Sequence, residues 1–144
     1  MSTVSEILDE KGREVFKIEE SASVFEAIKR MVEHNVGALL VTADDGEITG
    51  IVTERDYLRR VALEGRTEKD TAVREIMSSP LIYVKPDTSI EECMAVMTDR
   101  RIRHAPVVED GDVVGLVSIG DVVKFQSKQQ SFQIQYLTEY IEAR

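Results

Sequence analysis

Gly111-Asp112-Val113-Val114-Gly115-Leu116-Val117-Ser118-Ile119-Gly120-Asp121 has a close copy 65 positions earlier, Gly46-Glu47-Ile48-Thr49-Gly50-Ile51-Val52-Thr53-Glu54-Arg55-Asp56. In each copy a turn glycine leads into a short β-branched run, then a second glycine, then a hydroxyl residue followed three positions later by an aspartate. Such a run bounded by turn formers predicts a strand, and the hydroxyl-x-x-Asp after it predicts the first turn of a helix. Two such corners in 144 residues predict two halves built alike.

Outward from the corners the rest of the pattern repeats as well. In the first half Val4 to Leu8 reads as a docking segment and Val15 to Ile18 as a brief strand. Ser21 or Ser23 then caps a helix with Val24, Ala27, Ile28, Met31 and Val32 on one face. The strand pair Gly37 to Val41 and Ile48 to Val52 follows, turned at Asp44-Asp45-Gly46, where glycine supplies the positive φ of a tight hairpin. A helix from Glu54 through Tyr57, Leu58 and Val61 closes the half. In the second half Val73 to Met77 echoes Val4 to Leu8, Leu81 to Val84 echoes Val15 to Ile18, and Ser89 to Met97 matches Ser23 to Met31. Ile102 to Val108 then enters the hairpin turned at Asp110-Gly111, and a helix runs on from Asp121 through Val122, Val123 and Phe125.

The fold class predicted is α/β (α+β), two β-α-β-β-α repeats with pseudo-two-fold symmetry. Repeat 1 is assigned to residues 1–61 and repeat 2 to 73–125. Residues 62–72, where apolar period gives way to turn formers and charge, form the linker. Residues 126–144 are assigned to a C-terminal amphipathic helix with Ile134, Leu137 and Ile141 on one stripe.

The formal charge of −9, from 27 acidic and 18 basic residues, argues against nucleic acid and against anionic membranes as partners. No apolar run approaches the roughly 20 residues of a membrane span, and the polar start lacks the apolar stretch of a secretory signal. With a single cysteine, these features predict a soluble, cytoplasmic protein, although an organelle protein stripped of its transit peptide has the same appearance. Cys93, between Ile90 and Met97, reads as a small buried hydrophobe. His34 and His104 show no metal-ligand spacing, and the nucleophile-elbow, P-loop and dinucleotide glycine motifs are missing from the sequence.

Two repeats with Gly-h-h-Thr/Ser-x-x-Asp at the strand-to-helix corner resemble a tandem cystathionine-β-synthase (CBS) domain pair, or Bateman module, over about residues 4 to 125. Val73-Arg74-Glu75-Ile76-Met77 and Arg101-Ile102-Arg103-His104-Ala105-Pro106-Val107-Val108 are similar to that family too, and the closer likeness is to small stand-alone CBS-pair proteins. The resemblance implies a non-catalytic regulatory module that binds an adenosine nucleotide, AMP foremost, with NAD(H), ADP or ATP as alternatives and no metal required. It implies a homodimer, for which Ala27, Met31, Met94 and Met97 offer apolar helix surface, and a protein partner that responds to ligand.

The corner chemistry is compatible with that reading. Thr53 with Asp56, and Ser118 with Asp121, are placed for a carboxylate to accept both hydroxyls of a ribose. Adenine would slot among Ile18, Ile82, Val84 and Ile102, with Pro106 on the adjoining strand, while Arg103 and His104 would hold phosphate. The second corner is favoured because Arg103 and His104 belong to its half. Plainer alternatives stand beside each assignment: the hydroxyl and aspartate as a helix cap, Arg103 and His104 as a solvated edge, Arg66 and Lys69 of the linker as loop charges. Two other functions stay open, a dimerisation module without ligand and a nucleotide-processing enzyme.

Overall fold

The computed structural model describes residues 1–130, so the C-terminal amphipathic stripe lies outside the described residues. Two compact units result, one made of Val15–Ile82 and the other of Met1–Glu14 together with the chain from Tyr83 onward.

In the Val15–Ile82 unit, β1 (Lys17–Glu19) pairs parallel with β2 (Ala38–Thr42), which pairs antiparallel with β3 (Ile48–Thr53). Between β1 and β2 runs α2 (Val24–His34), capped at its start by Ser23, whose hydroxyl accepts from the Glu26 amide, and ended by Asn35 in the left-handed conformation. Val24, Ala27 and Met31 face the core as the spacing predicts, joined by Ile18, Leu39, Val41, Val52 and Val61. Val32 does not follow, being 74 % exposed. After β3 comes α3 (Glu54–Tyr57), which widens into a π-helical turn over Leu58–Ala62. The 3-10 turn Val73–Glu75 returns the chain, and Ile51 and Ser78 exchange backbone hydrogen bonds of 3.1 and 2.9 Å. That approach explains Gly50, since a Cβ there would stand 2.7 Å from the Ser78 carbonyl oxygen.

The other unit contains α1 (Val4–Lys11), α4 (Ile90–Arg100), the antiparallel pair β4 (His104–Glu109) and β5 (Asp112–Ser118), and α5, helical over residues 119–130. Helix α5 therefore continues through the polar run after Phe125. The strand expected over Leu81 to Val84 shrinks to one parallel bridge, Val84 with Val107, in which Val84 donates to the Pro106 carbonyl at 3.0 Å. Pro80 and Pro86 bracket the segment, and neither can donate to a ladder, so pairing does not propagate. Cys93, fully buried among Val4, Leu8, Ile90 and Met97, is the small hydrophobe expected, and burial pushes its thiol pKa up.

The opening segments of the two repeats are exchanged between units. Val4, Ile7 and Leu8 are at most 3 % exposed and sit in the core with β4 and β5, while Val73 and Ile76 complete the core around β2 and β3. Full burial of a side chain such as Leu8 contributes about 1.5 to 3 kcal/mol, which is what holds α1 there. Leu8 lies so close to β5 that a Cβ on Gly115 would meet its Cδ2 at 2.7 Å. As a result Lys11, at the end of α1, is carried to the second corner.

Candidate functional site

Each corner is a strand end turning into a helix, fixed by a reciprocal pair of hydrogen bonds. At the first, the Asp56 amide donates to Thr53 Oγ1 at 3.2 Å, and the Thr53 amide and hydroxyl donate to Asp56 Oδ2 at 2.9 and 3.1 Å. At the second, the Asp121 amide donates to Ser118 Oγ at 3.1 Å and the Ser118 amide to Asp121 Oδ2 at 2.8 Å. Both are capping boxes with aspartate in the third helical position. The cap alternative is thus physically realised at both corners, and it uses one carboxylate oxygen at each. The hydrogen bonds named here to these two carboxylates all fall on Oδ2.

The second corner carries a contact that sequence reasoning missed. Lys11 Nζ donates to Asp121 Oδ2 at 2.6 Å and to the Leu116 carbonyl at 2.8 Å. The lysine is separated from Asp121 by 110 positions, and only the exchange of α1 into this unit brings it there. The repeat itself held the signal: Val4 to Leu8 matches Val73 to Met77, so wherever one docks, the residues after it follow.

Electrostatics separate the corners. Burial raises the Asp56 carboxyl above its ordinary value, more than the Thr53 bonds and the charges of Arg60 and Arg59 lower it. At Asp121 burial also acts upward and is the largest single influence, but the Lys11 bond, the Ser118 bonds and the Lys11 charge together outweigh it, and the carboxyl lies below its ordinary value.

His104 opens β4 opposite Ser118. Its Nδ1 is buried without a hydrogen-bond partner. Burial lowers its pKa, and Lys11 and Arg103 add to that against the opposing pull of Asp121. Arg103 is exposed on the chain just before β4. Ile18 and Val84 are 1 % and 4 % exposed and belong to the cores, whereas Ile82 and Ile102 are half-buried. Pro106 lies fully inside β4, opposite Leu116. In the linker Arg66 pairs with Glu75, and Lys69 stands 5.2 Å over the Phe25 ring beside a groove of about 610 Å³ lined also by Ile28, Tyr57 and Glu68. No cluster of three metal-ligating side chains, and no helix long and apolar enough to cross a membrane, occurs among the described residues.

The CBS domain family model matches this chain twice, over residues 4–63 and 73–128. The chain is 40% identical over 149 residues to the mitochondrial CBS domain-containing protein CBSX3 of Arabidopsis thaliana, spanning 98% of this chain and 72% of that protein. A solved structure from Burkholderia ambifaria, of a protein with CBS domains ascribed to signal transduction, superposes with a TM-score of 0.82 at 49% identity, covering 85% of this chain and 92% of that one. The hexameric CBS-CP12 protein from bloom-forming cyanobacteria superposes with a TM-score of 0.77 at 33% identity, covering 85% and 70%.

Proposed function

Because this chain belongs to the CBS domain family and carries the domain twice, we propose that it is a non-catalytic sensor that binds an adenosine nucleotide at its hydroxyl-x-x-Asp corners. AMP is the first choice, with NAD(H), ADP and ATP as alternatives, and occupancy is relayed to a protein partner through a homodimer. The hexameric state of the cyanobacterial neighbour supports assembly of such pairs. A cytoplasmic setting belongs to the same reading, and an organelle interior suits it as well, since the Arabidopsis relative is mitochondrial.

The observation that carries the proposal is that the capping bonds at Asp56 and Asp121 fall on Oδ2 of each carboxylate. A helix cap consumes one carboxylate oxygen, and the second is left as a strong acceptor at the mouth of a corner, where the two donors of a ribose diol can be received. Removing the 2′-hydroxyl should therefore weaken binding by about ten- to 150-fold, the equivalent of roughly 1.5 to 3 kcal/mol. Calorimetric titration of AMP and 2′-deoxy-AMP into the wild type, Asp56→Asn and Asp121→Asn tests this. Equal affinity of all three proteins for both ligands would sink it. The capping boxes favour the second reading, a dimerisation module without ligand, and that one predicts no rise in Tm with any adenylate.

A further inference from the structure

The two corners have the same backbone plan and the same carboxylate, and they differ in one cation. At the first, Asp56 is bonded by Thr53, and Arg60 and Arg59 act on it through space. At the second, the Lys11 ammonium sits on Asp121 at 2.6 Å. We propose that Lys11 is a built-in competitor for the second corner: bonded to Oδ2, its ammonium neutralises the carboxylate whose Oδ1 a ribose diol would use, so the Asp56 corner fills first and the Asp121 corner binds tightly only when Lys11 is displaced. The inference rests on the nucleotide reading above and names how that site is regulated.

Three features make the contact more than a chance surface pair. Helix α1 is anchored by Val4, Ile7 and Leu8, so the lysine is tethered at a fixed distance from the corner. A second bond, to the Leu116 carbonyl at 2.8 Å, aims the ammonium. The pair is also shielded unevenly, with the lysine side chain 35% exposed and the aspartate 24% exposed. The charge-assisted bond to Oδ2 draws the carboxylate's charge toward Lys11 and makes Oδ1 a weaker acceptor for the neutral hydroxyls of a ligand. Because water still reaches both side chains, the bond is screened enough to be broken by a bound ligand. This reverses the preference for Asp121 drawn from Arg103 and His104.

The test isolates the second corner by working in Asp56→Asn and adding Lys11→Met or Lys11→Arg. Adenosine is the probe, because without a phosphate it cannot lose a contact to the ammonium. The expected result is adenosine affinity about three- to tenfold higher in Lys11→Met than in its parent, with Lys11→Arg close to the parent. Unchanged or weaker binding in Lys11→Met overturns the competitor role, and so does a second corner that binds nothing with or without the lysine. If the wild type binds neither adenosine nor AMP, its Asp56 corner reports failure of the nucleotide reading itself, and the proposal falls with it. Circular dichroism melting of each variant confirms that the exposed position 11 has been changed without unfolding α1.

Discussion

Burial alone would lift the carboxyl of Asp121 as it lifts that of Asp56, and Lys11 is what separates them. For Asp121, whose folded value is depressed, the associated stability is present above the ordinary value of 3.8 and is lost as pH falls through the lower folded value. For Asp56, whose folded value is raised, the sign is opposite: the contribution is present below 3.8 and lost as pH rises through the folded value, leaving a buried charge that costs stability at neutral pH. His104 works against the protein in acid, because its folded pKa is lowered and stability drains away as pH falls below 6.5. These signs give different outcomes for two substitutions that look alike. At pH 7 Asp56→Asn removes a poorly solvated charge and keeps a capping side chain, so Tm should hold or rise. Asp121→Asn leaves Lys11 without its counter-charge and should lower Tm by about 1 to 4 °C, the equivalent of roughly 0.2 to 1 kcal/mol. Differential scanning calorimetry of both decides it, and equal Tm values would show that the Lys11 pair contributes nothing to stability.

At the scale of elements, the features legible in the sequence were those with a local cause. Ser23 and Ser89 as caps, the glycine hairpins at Gly46 and Gly111, and the core faces of α2 and α4 follow from side chains acting on their own backbone or from helical period. Features decided by distant parts of the chain were not legible. Val32 fits the apolar period of α2 yet points outward, because Met31 and Ala27 already fill the surface that β2 and β3 offer. Helix α1 looked like a docking segment, and its length to Lys11 depends on the core that receives Leu8. Of the candidate site, the corners were readable as motifs, while the Lys11 contact and the lowered pKa of the buried His104 are products of tertiary placement. The two motif glycines illustrate the same division. Gly50 faces a backbone carbonyl that is itself held by the Ile51 and Ser78 bonds, whereas Gly115 faces the ends of the Leu8 side chain. Gly50→Ala should therefore cost about 1 to 3 kcal/mol through forced backbone shift, and Gly115→Ala less, since Leu8 can change rotamer. Urea melts of both variants measure the difference, and a larger loss for Gly115→Ala would mean that Leu8 is more rigidly packed than the Ser78 segment.

At the scale of the whole molecule, the helix residues first offered for dimerisation do not serve. Ala27, Met31 and Met97 are at most 4 % exposed, and Met94 packs against the core. Among the described residues the exposed large apolar side chains are Phe25, Val32, Leu58 and Leu63 in the Val15–Ile82 unit, with Val32 at 74 %, and Met1, Tyr83, Ile119 and Val123 in the other. Exposed large apolar side chains such as Val32 on α2 are a reason to expect a partner surface, and a second copy closed by a two-fold is the commonest solution. Association must then overcome charge, because each 16.2 kDa chain brings a formal −9 to the dimer. Apolar contact does not weaken with salt, whereas repulsion between two acidic surfaces is screened over a Debye length of about 8 Å at physiological ionic strength. The dimer should accordingly tighten as salt is raised from about 20 to 300 mM, the reverse of an interface held by ion pairs. Val32→Lys should weaken it at every salt concentration by burying a charge against an apolar surface, with little change in Tm measured where the variant is monomeric, since position 32 makes no contribution to the core. Sedimentation equilibrium across that salt range is the measurement. A monomer at micromolar concentration throughout, or a dimer that loosens with salt and ignores Val32→Lys, would place the partner surface elsewhere.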